Sequence, residues 1–145
     1  MKYFSCRDSD QKRAYSFEDA VFAGWAEDNG MILPETIPKV DAGMLRMWSS
    51  LEYSALCVEI LSLFISVEDI PKEDLCAVVN RSFENFGGDG SVVQLQQLDG
   101  TTEKEVFVCE LWHGPTLAFK DLGMQVLAQL LSFFLNRRNA VKDSP

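Results

Sequence analysis

The segment Glu110-Leu111-Trp112-His113-Gly114-Pro115-Thr116-Leu117-Ala118-Phe119-Lys120-Asp121 gathers the residue types best able to do chemistry in this sequence. It holds the only histidine of the chain, two carboxylates, a His-Gly-Pro turn, and a lysine at the head of a nearly all-apolar stretch. The apolar pattern predicts a helix from about Leu117–Phe119 to Asn136, with Lys120 in its first turn. A helix N-terminus disfavours a cation, and apolar neighbours disfavour it further. A misfit of this kind marks a residue that is either functional or tolerated. At an ordinary pKa of ~10.4, roughly one lysine in 2,500 is neutral at pH 7. A pKa moved toward ~7–8 would make a tenth to a half of the amines nucleophilic, suited to Schiff-base chemistry. The same helix start would offer free N–H groups to an anion. Blander readings stand beside this one. A lysine early in a helix is more often a snorkelling surface residue, and this one could pair with Asp121 or Glu110. His113 reads as a turn residue before it reads as a base, and Asp121 as a helix-dipole partner before an acid. Spacing alone stops at a candidate reactive lysine.

The elements that must position this segment follow from local signals. Tyr3 to Cys6 reads as a short strand, and Ser16-Phe17-Glu18-Asp19 as a capping-box-like start to a short helix that Gly24 ends. Met31-Ile32-Leu33 reads as a second short strand or extended segment, followed by an extended linker held by Pro34 and Pro38. Helical spacing covers about Ser50 to Phe64, and a further helix starts at Pro71 and stops at Gly87-Gly88. Val92 to Leu98 and Val106 to Val108 flank the turn signal Asp99-Gly100-Thr101-Thr102, which predicts a β-hairpin. In the last helix Gln125, Gln129, Ser132 and Asn136 form one polar stripe on an otherwise apolar cylinder, so a largely buried helix is expected. Arg137 and Arg138 would close it, favoured by the dipole. The class is α/β in the α+β sense, with helices dominant.

Composition bounds the rest. The chain has 145 residues, 47% of them apolar, and a net charge of −9. That suffices for one core without disulfides and is too apolar for disorder. The acidic balance counts against nucleic-acid or anionic-membrane partners. No apolar h-region follows Met1-Lys2, and Lys120 and Asp121 interrupt the most apolar stretch, so neither a secretory signal nor a membrane span is expected. Cys6, Cys57, Cys76 and Cys109 form no CxxC pair, and with a single histidine a zinc cluster has no ligand set. Reduced, mostly buried thiols in the cytoplasm are expected, with an organelle not excluded.

The segment ELWHGPTLAFKD closely resembles the lysine motif of threonine synthases and threonine-synthase-like proteins. SFEDAVFAG (Ser16–Gly24), WAEDNGMILPETIP (Trp25–Pro38) and YFSCR (Tyr3–Arg7) resemble other parts of that family in the same order, so the similarity runs to about Arg138. The resemblance implies the N-terminal domain of a fold-type II pyridoxal-phosphate enzyme of the tryptophan-synthase β-like fold. Residues 1–116 would form that domain, and residues 117–145 the lysine-bearing helix that begins the cofactor domain. It implies that Lys120 is both the catalytic and the cofactor-binding residue, through a Schiff base to pyridoxal 5′-phosphate, with no metal. The reaction implied for the full-length enzyme, a carbon–oxygen lyase by type, turns O-phosphohomoserine and water into threonine and phosphate. Some relatives act instead as phospho-lyases that end in a keto acid.

Three departures accompany the resemblance. Asn29-Gly30 stands where two glycines are usual, and asparagine tolerates the positive φ a glycine there would supply. Cys6 stands where threonine is usual. The family cradles the cofactor phosphate in a Gly/Ser/Thr-rich loop beyond the lysine helix, and no such loop occurs in these 145 residues; Gly87, Gly88 and Gly90 precede the lysine. The chain alone is therefore expected to be inactive. It reads as part of a longer enzyme, as a non-catalytic structural or interaction module that has lost the cofactor, or as a subunit completed by a partner. The apolar last helix, without a cofactor domain to cover it, predicts self-association.

Overall fold

The described residues form nine elements in the order β1 (Tyr3–Ser5), α1 (Phe17–Ala23), β2 (Ile32–Pro34), α2 (Ala42–Trp48), α3 (Tyr53–Leu61), α4 (Lys72–Phe83), β3 (Gln94–Leu98), β4 (Val106–Glu110) and α5 (Asp121–Lys142). The computed structural model describes residues 1–87, 91–98 and 105–142. Helices dominate a mixed α/β chain, as its patterning predicts.

The N-terminal third is set by local chemistry. The Ser16 hydroxyl accepts the Asp19 N–H at 3.0 Å and caps α1, and Gly24 ends that helix at φ 66°. β1 and β2 pair antiparallel with Phe4 opposite Leu33. The turn leading into β2 contains Asn29 at φ 59°, so asparagine does accept the left-handed geometry here. Gly30 is required by closeness: a Cβ there would strike the Ser5 hydroxyl and come within 2.9 Å of Asp28 Oδ1. The linker after Pro38 is not extended throughout, because Asp41 caps the short helix α2 by accepting the Met44 N–H at 2.9 Å. That helix buries Trp48.

The main core lies where α3, α4 and α5 meet. Leu75, Val79 and Phe83 of α4 pack with Val126, Leu130 and Phe134 of α5, each set spaced by four and so aligned on one helix face. Rings carry this core to the N-terminus: Tyr3 contacts Phe17 at 5.8 Å, and Phe17 contacts Phe134 at 6.1 Å. The Tyr3 hydroxyl donates to the Phe64 carbonyl at 2.8 Å, and burial together with nearby Asp69 pushes its pKa up to about 12.

Four further expectations change. α5 begins at Asp121 and continues to Lys142, past Asn136. Its burial is one-sided, with Met124 and Leu135 exposed opposite the buried face. Gln129, Ser132 and Asn136 of the polar stripe border a groove of about 500 Å³ shared with Asp74 and Arg81 of α4. Arg137 and Arg138 lie inside the helix, where both pair with Glu18 of α1 instead of capping a terminus. The thiols are less buried than expected: Cys6 and Cys109 are exposed, and Cys57 and Cys76 half-buried. β3 and β4 form the antiparallel pair expected, with Leu98 opposite Val106, while the turn at Asp99–Thr102 and residues Gly88 and Gly90 lie outside the described residues.

Candidate active site

Lys120 sits at the junction between a loop and α5. Its carbonyl accepts the Met124 N–H at 2.9 Å, so it is the residue immediately before the helix and not a member of the first turn. The helix beyond is held by its buried residues Val126, Leu130 and Phe134. Ahead of the loop, β4 delivers Glu110, and the Gly87 N–H donates to the His113 carbonyl at 2.8 Å, tying the exit of α4 to this segment.

Within the segment Glu110 pairs with His113 and Thr116 with Asp121. His113 Nε2 lies 2.9 Å from Glu110 Oε2, with both side chains mostly buried, and the imidazole stacks on Trp112 at 6.0 Å between ring centres. Asp121 is 4% exposed. Its Oδ2 accepts the Thr116 N–H at 2.8 Å and its Oδ1 accepts the Thr116 hydroxyl at 2.7 Å. Burial pushes the Asp121 pKa up, but hydrogen bonds from the Thr116 hydroxyl and from the backbone of Thr116 and Ala118 outweigh it. The carboxyl is held below its ordinary value of 3.8. Gly114 is buried against this carboxylate: a Cβ there would lie 2.8 Å from Asp121 Cγ and closer still to its Cβ. Between Thr116 and Ala118, Leu117 adopts φ 58°. A left-handed conformation costs a leucine about 1–2 kcal/mol, and its side chain is 75% exposed, so burial of that side chain does not offset the cost.

Lys120 is itself exposed, as are Phe119, Leu117 and Trp112 near it in sequence. The apolar surroundings expected of it therefore do not enclose it among the described residues. Both candidate partner carboxylates are engaged elsewhere, Glu110 with His113 and Asp121 with Thr116. The start of α5 does not offer its amides to an anion either. The N–H groups of Asp121, Leu122, Gly123 and Met124 turn onto the carbonyls of Ala118, Phe119 and Lys120. Of the two things pyridoxal phosphate requires, an accessible amine and a cradle of N–H donors for its phosphate, this segment fits the first. The Thr116–Asp121 brace escapes a reading by spacing because it closes over five residues through a backbone conformation that leucine does not favour. The i, i+3 placement of Glu110 and His113 was a readable signal for that pair.

A profile of the threonine synthase N terminus matches residues 2–83. Over 139 residues the chain is 43% identical to threonine synthase-like 2 of Xenopus laevis, covering 96% of this chain and 28% of that protein. Threonine synthase of Saccharomyces cerevisiae is 40% identical over 139 residues, covering 95% of this chain and 27% of its own length. The yeast threonine synthase crystal structure superposes with a TM-score of 0.90 at 39% identity, over 99% of this chain and 28% of that one. The PLP-bound threonine synthase from Brucella melitensis does so with a TM-score of 0.81 at 36% identity, over 96% and 28%. The chain thus spans little more than a quarter of the length of these relatives. With the profile covering more than half of its residues and the relatives nearly all of them, the chain belongs to the threonine synthase family and carries that family's N-terminal region.

Proposed function

We propose that Lys120 is the amine that holds pyridoxal phosphate, in a full-length enzyme that converts O-phosphohomoserine and water into threonine and phosphate. The observation that carries this reading is an exposed lysine on a braced backbone at the head of α5, in a chain similar to a PLP-bound threonine synthase. When bound, the cofactor supplies an electron sink for the bonds around the amino-acid α-carbon. The residues of this chain contribute position. Asp121 and Gly114 set the loop, α5 anchors it in the core, and the Lys120 amine stands free of any carboxylate in its own segment. On this reading residues 117–145 begin the cofactor-bearing part, with the boundary at 116/117 inside the braced loop.

The start of α5 supplies no phosphate cradle, and the 145-residue chain alone is expected to bind the cofactor weakly and without turnover. The test is to incubate the chain with pyridoxal phosphate, reduce with borohydride and map the adduct by mass spectrometry. Adduct concentrated on Lys120 supports the reading. Adduct spread over the other lysines in proportion to exposure overturns it in favour of a non-catalytic module. A product assay on the full-length protein separates threonine from a keto acid, and so the synthase from the phospho-lyase.

A further inference from the structure

We infer that Asp121 is a positioning residue for Lys120. Its carboxylate pins the residues on either side of Leu117 and thereby fixes the backbone that presents the amine; the inference rests on the reading of Lys120 above. The geometry is specific. Asp121 takes the N–H and the hydroxyl of Thr116 on its two oxygens, at 2.8 and 2.7 Å, and the Ala118 backbone contributes a further hydrogen bond. Thr116 and Ala118 are the neighbours of Leu117, which the chain holds at φ 58° with its side chain in solvent. Nothing intrinsic to leucine favours that conformation, so bonds on both sides of it are what keep it there. The loop is closed by the Leu117 N–H on the Gly114 carbonyl and the Asp121 N–H on the Ala118 carbonyl, both at 3.0 Å. Gly114 then leaves room for the carboxylate where any other residue would displace it. Lys120 follows directly, with its carbonyl already committed to α5. Because both Asp121 oxygens point into the loop, the residue acts on Lys120 through the backbone and not as its counter-ion.

The roles of charge and position are separable. Asp121→Asn keeps an acceptor for the Thr116 N–H and can donate to the Thr116 hydroxyl, so it preserves the pin without the charge. Asp121→Ala removes both. Leu117→Gly lets the loop adopt positive φ unaided. Two readouts apply: amide hydrogen exchange at Thr116 and Ala118, and the share of borohydride-trapped adduct on Lys120. Asp121→Ala is expected to speed exchange at those two amides about tenfold or more while Val126 and Leu130 stay protected, which shows α5 still folded. It also lowers the Lys120 share. Asp121→Asn retains most of both, and Leu117→Gly in the Asp121→Ala background restores the Lys120 share. Exchange in Asp121→Ala within about twofold of wild type overturns the pin. Equal loss of the Lys120 share in Asp121→Asn and Asp121→Ala overturns positioning in favour of charge. A wild-type chain with no preference for Lys120 sinks the cofactor reading instead, and the exchange pattern still decides whether the pin exists.

Discussion

The two ends of α5 are built for different purposes. Toward its C-terminus, Phe134 is 0% exposed among Phe17, Phe22 and Phe133, and Arg137 and Arg138 reach Glu18 on the far side of the core. Arg137 also lies over the Phe134 ring at 4.9 Å, and Arg138 over Phe22 at 4.0 Å. At the N-terminal end the side chains near Lys120 face solvent, and the order resides in backbone hydrogen bonds and one buried carboxylate. One end supplies stability, and the other spends its structure on holding a shape. The rigidity of the helix carries the first to the second, since a loop that precedes a fixed helix has only one end left to move.

Phe134→Ala breaks this arrangement most severely. It removes a ring that reaches α1 and its own helix at once, and truncation of a buried phenylalanine costs about 3–5 kcal/mol. Against a total of about 5–15 kcal/mol for an ordinary domain, much of the fold goes with it. Urea unfolding should show the midpoint fall sharply, and a shift under about 1 kcal/mol would mean that the N-terminal elements are held independently of α5.

Gly114→Ala attacks the other end. Its Cβ would overlap the Asp121 side chain and backbone-proximal atoms that cannot rotate away, and overpacking costs about 1–3 kcal/mol. The loss should be local. Exchange at Thr116 and Ala118 rises while the core amides of α4 keep their protection. If the α4 amides exchange faster by the same factor, the two ends of α5 are one cooperative unit and the contrast fails.

Glu18→Gln tests the clamp by charge. Burial raises the Glu18 pKa, but the Arg138 and Arg137 contacts outweigh it and hold the carboxyl below its ordinary value of 4.5. Because the folded value is the lower one, the clamp's contribution is complete above pH 4.5 and disappears as pH falls through that lower value. Both guanidinium groups are about half exposed, which limits the contribution to about 0.5–1 kcal/mol. Thermal unfolding of wild type should therefore converge on that of Glu18→Gln in acid; a constant difference at every pH would assign the clamp to packing.

What the sequence disclosed divides along similar lines. α1 was legible because its cap and its stop, Ser16 and Gly24, lie in the helix's own sequence, and the Asn29 turn because asparagine has a known tolerance. α2 is hard to read from sequence although Asp41 is a good cap, since Pro34 and Pro38 favour extension and Gly43 weakens the helical pattern. Beyond Asn136, Arg137 of α5 pairs with Glu18, 119 residues earlier, a contact that no window along the chain can show. Lys120 is legible in the sequence as a misfit of type and place, although the pattern does not show what positions it. Periodicity put it inside an apolar helix. Its actual position follows from Asp121 pulling Thr116 back and leaving Lys120 just outside the first turn.

Lys120→Ala is the smallest perturbation to the fold and the sharpest test of the contrast. The side chain is exposed, and neither carboxylate of its segment pairs with it, so its removal should change stability by less than about 0.5 kcal/mol. The carbonyl that starts α5 belongs to the backbone and survives the substitution. Borohydride-trapped adduct should nevertheless lose its principal site. A residue that the fold does not need, set on a loop that the fold goes to some lengths to shape, is what a functional group looks like in free-energy terms. If Lys120→Ala instead unfolded the chain at a markedly lower urea concentration, the amine would have a structural partner, and the division between the two ends of α5 would not hold.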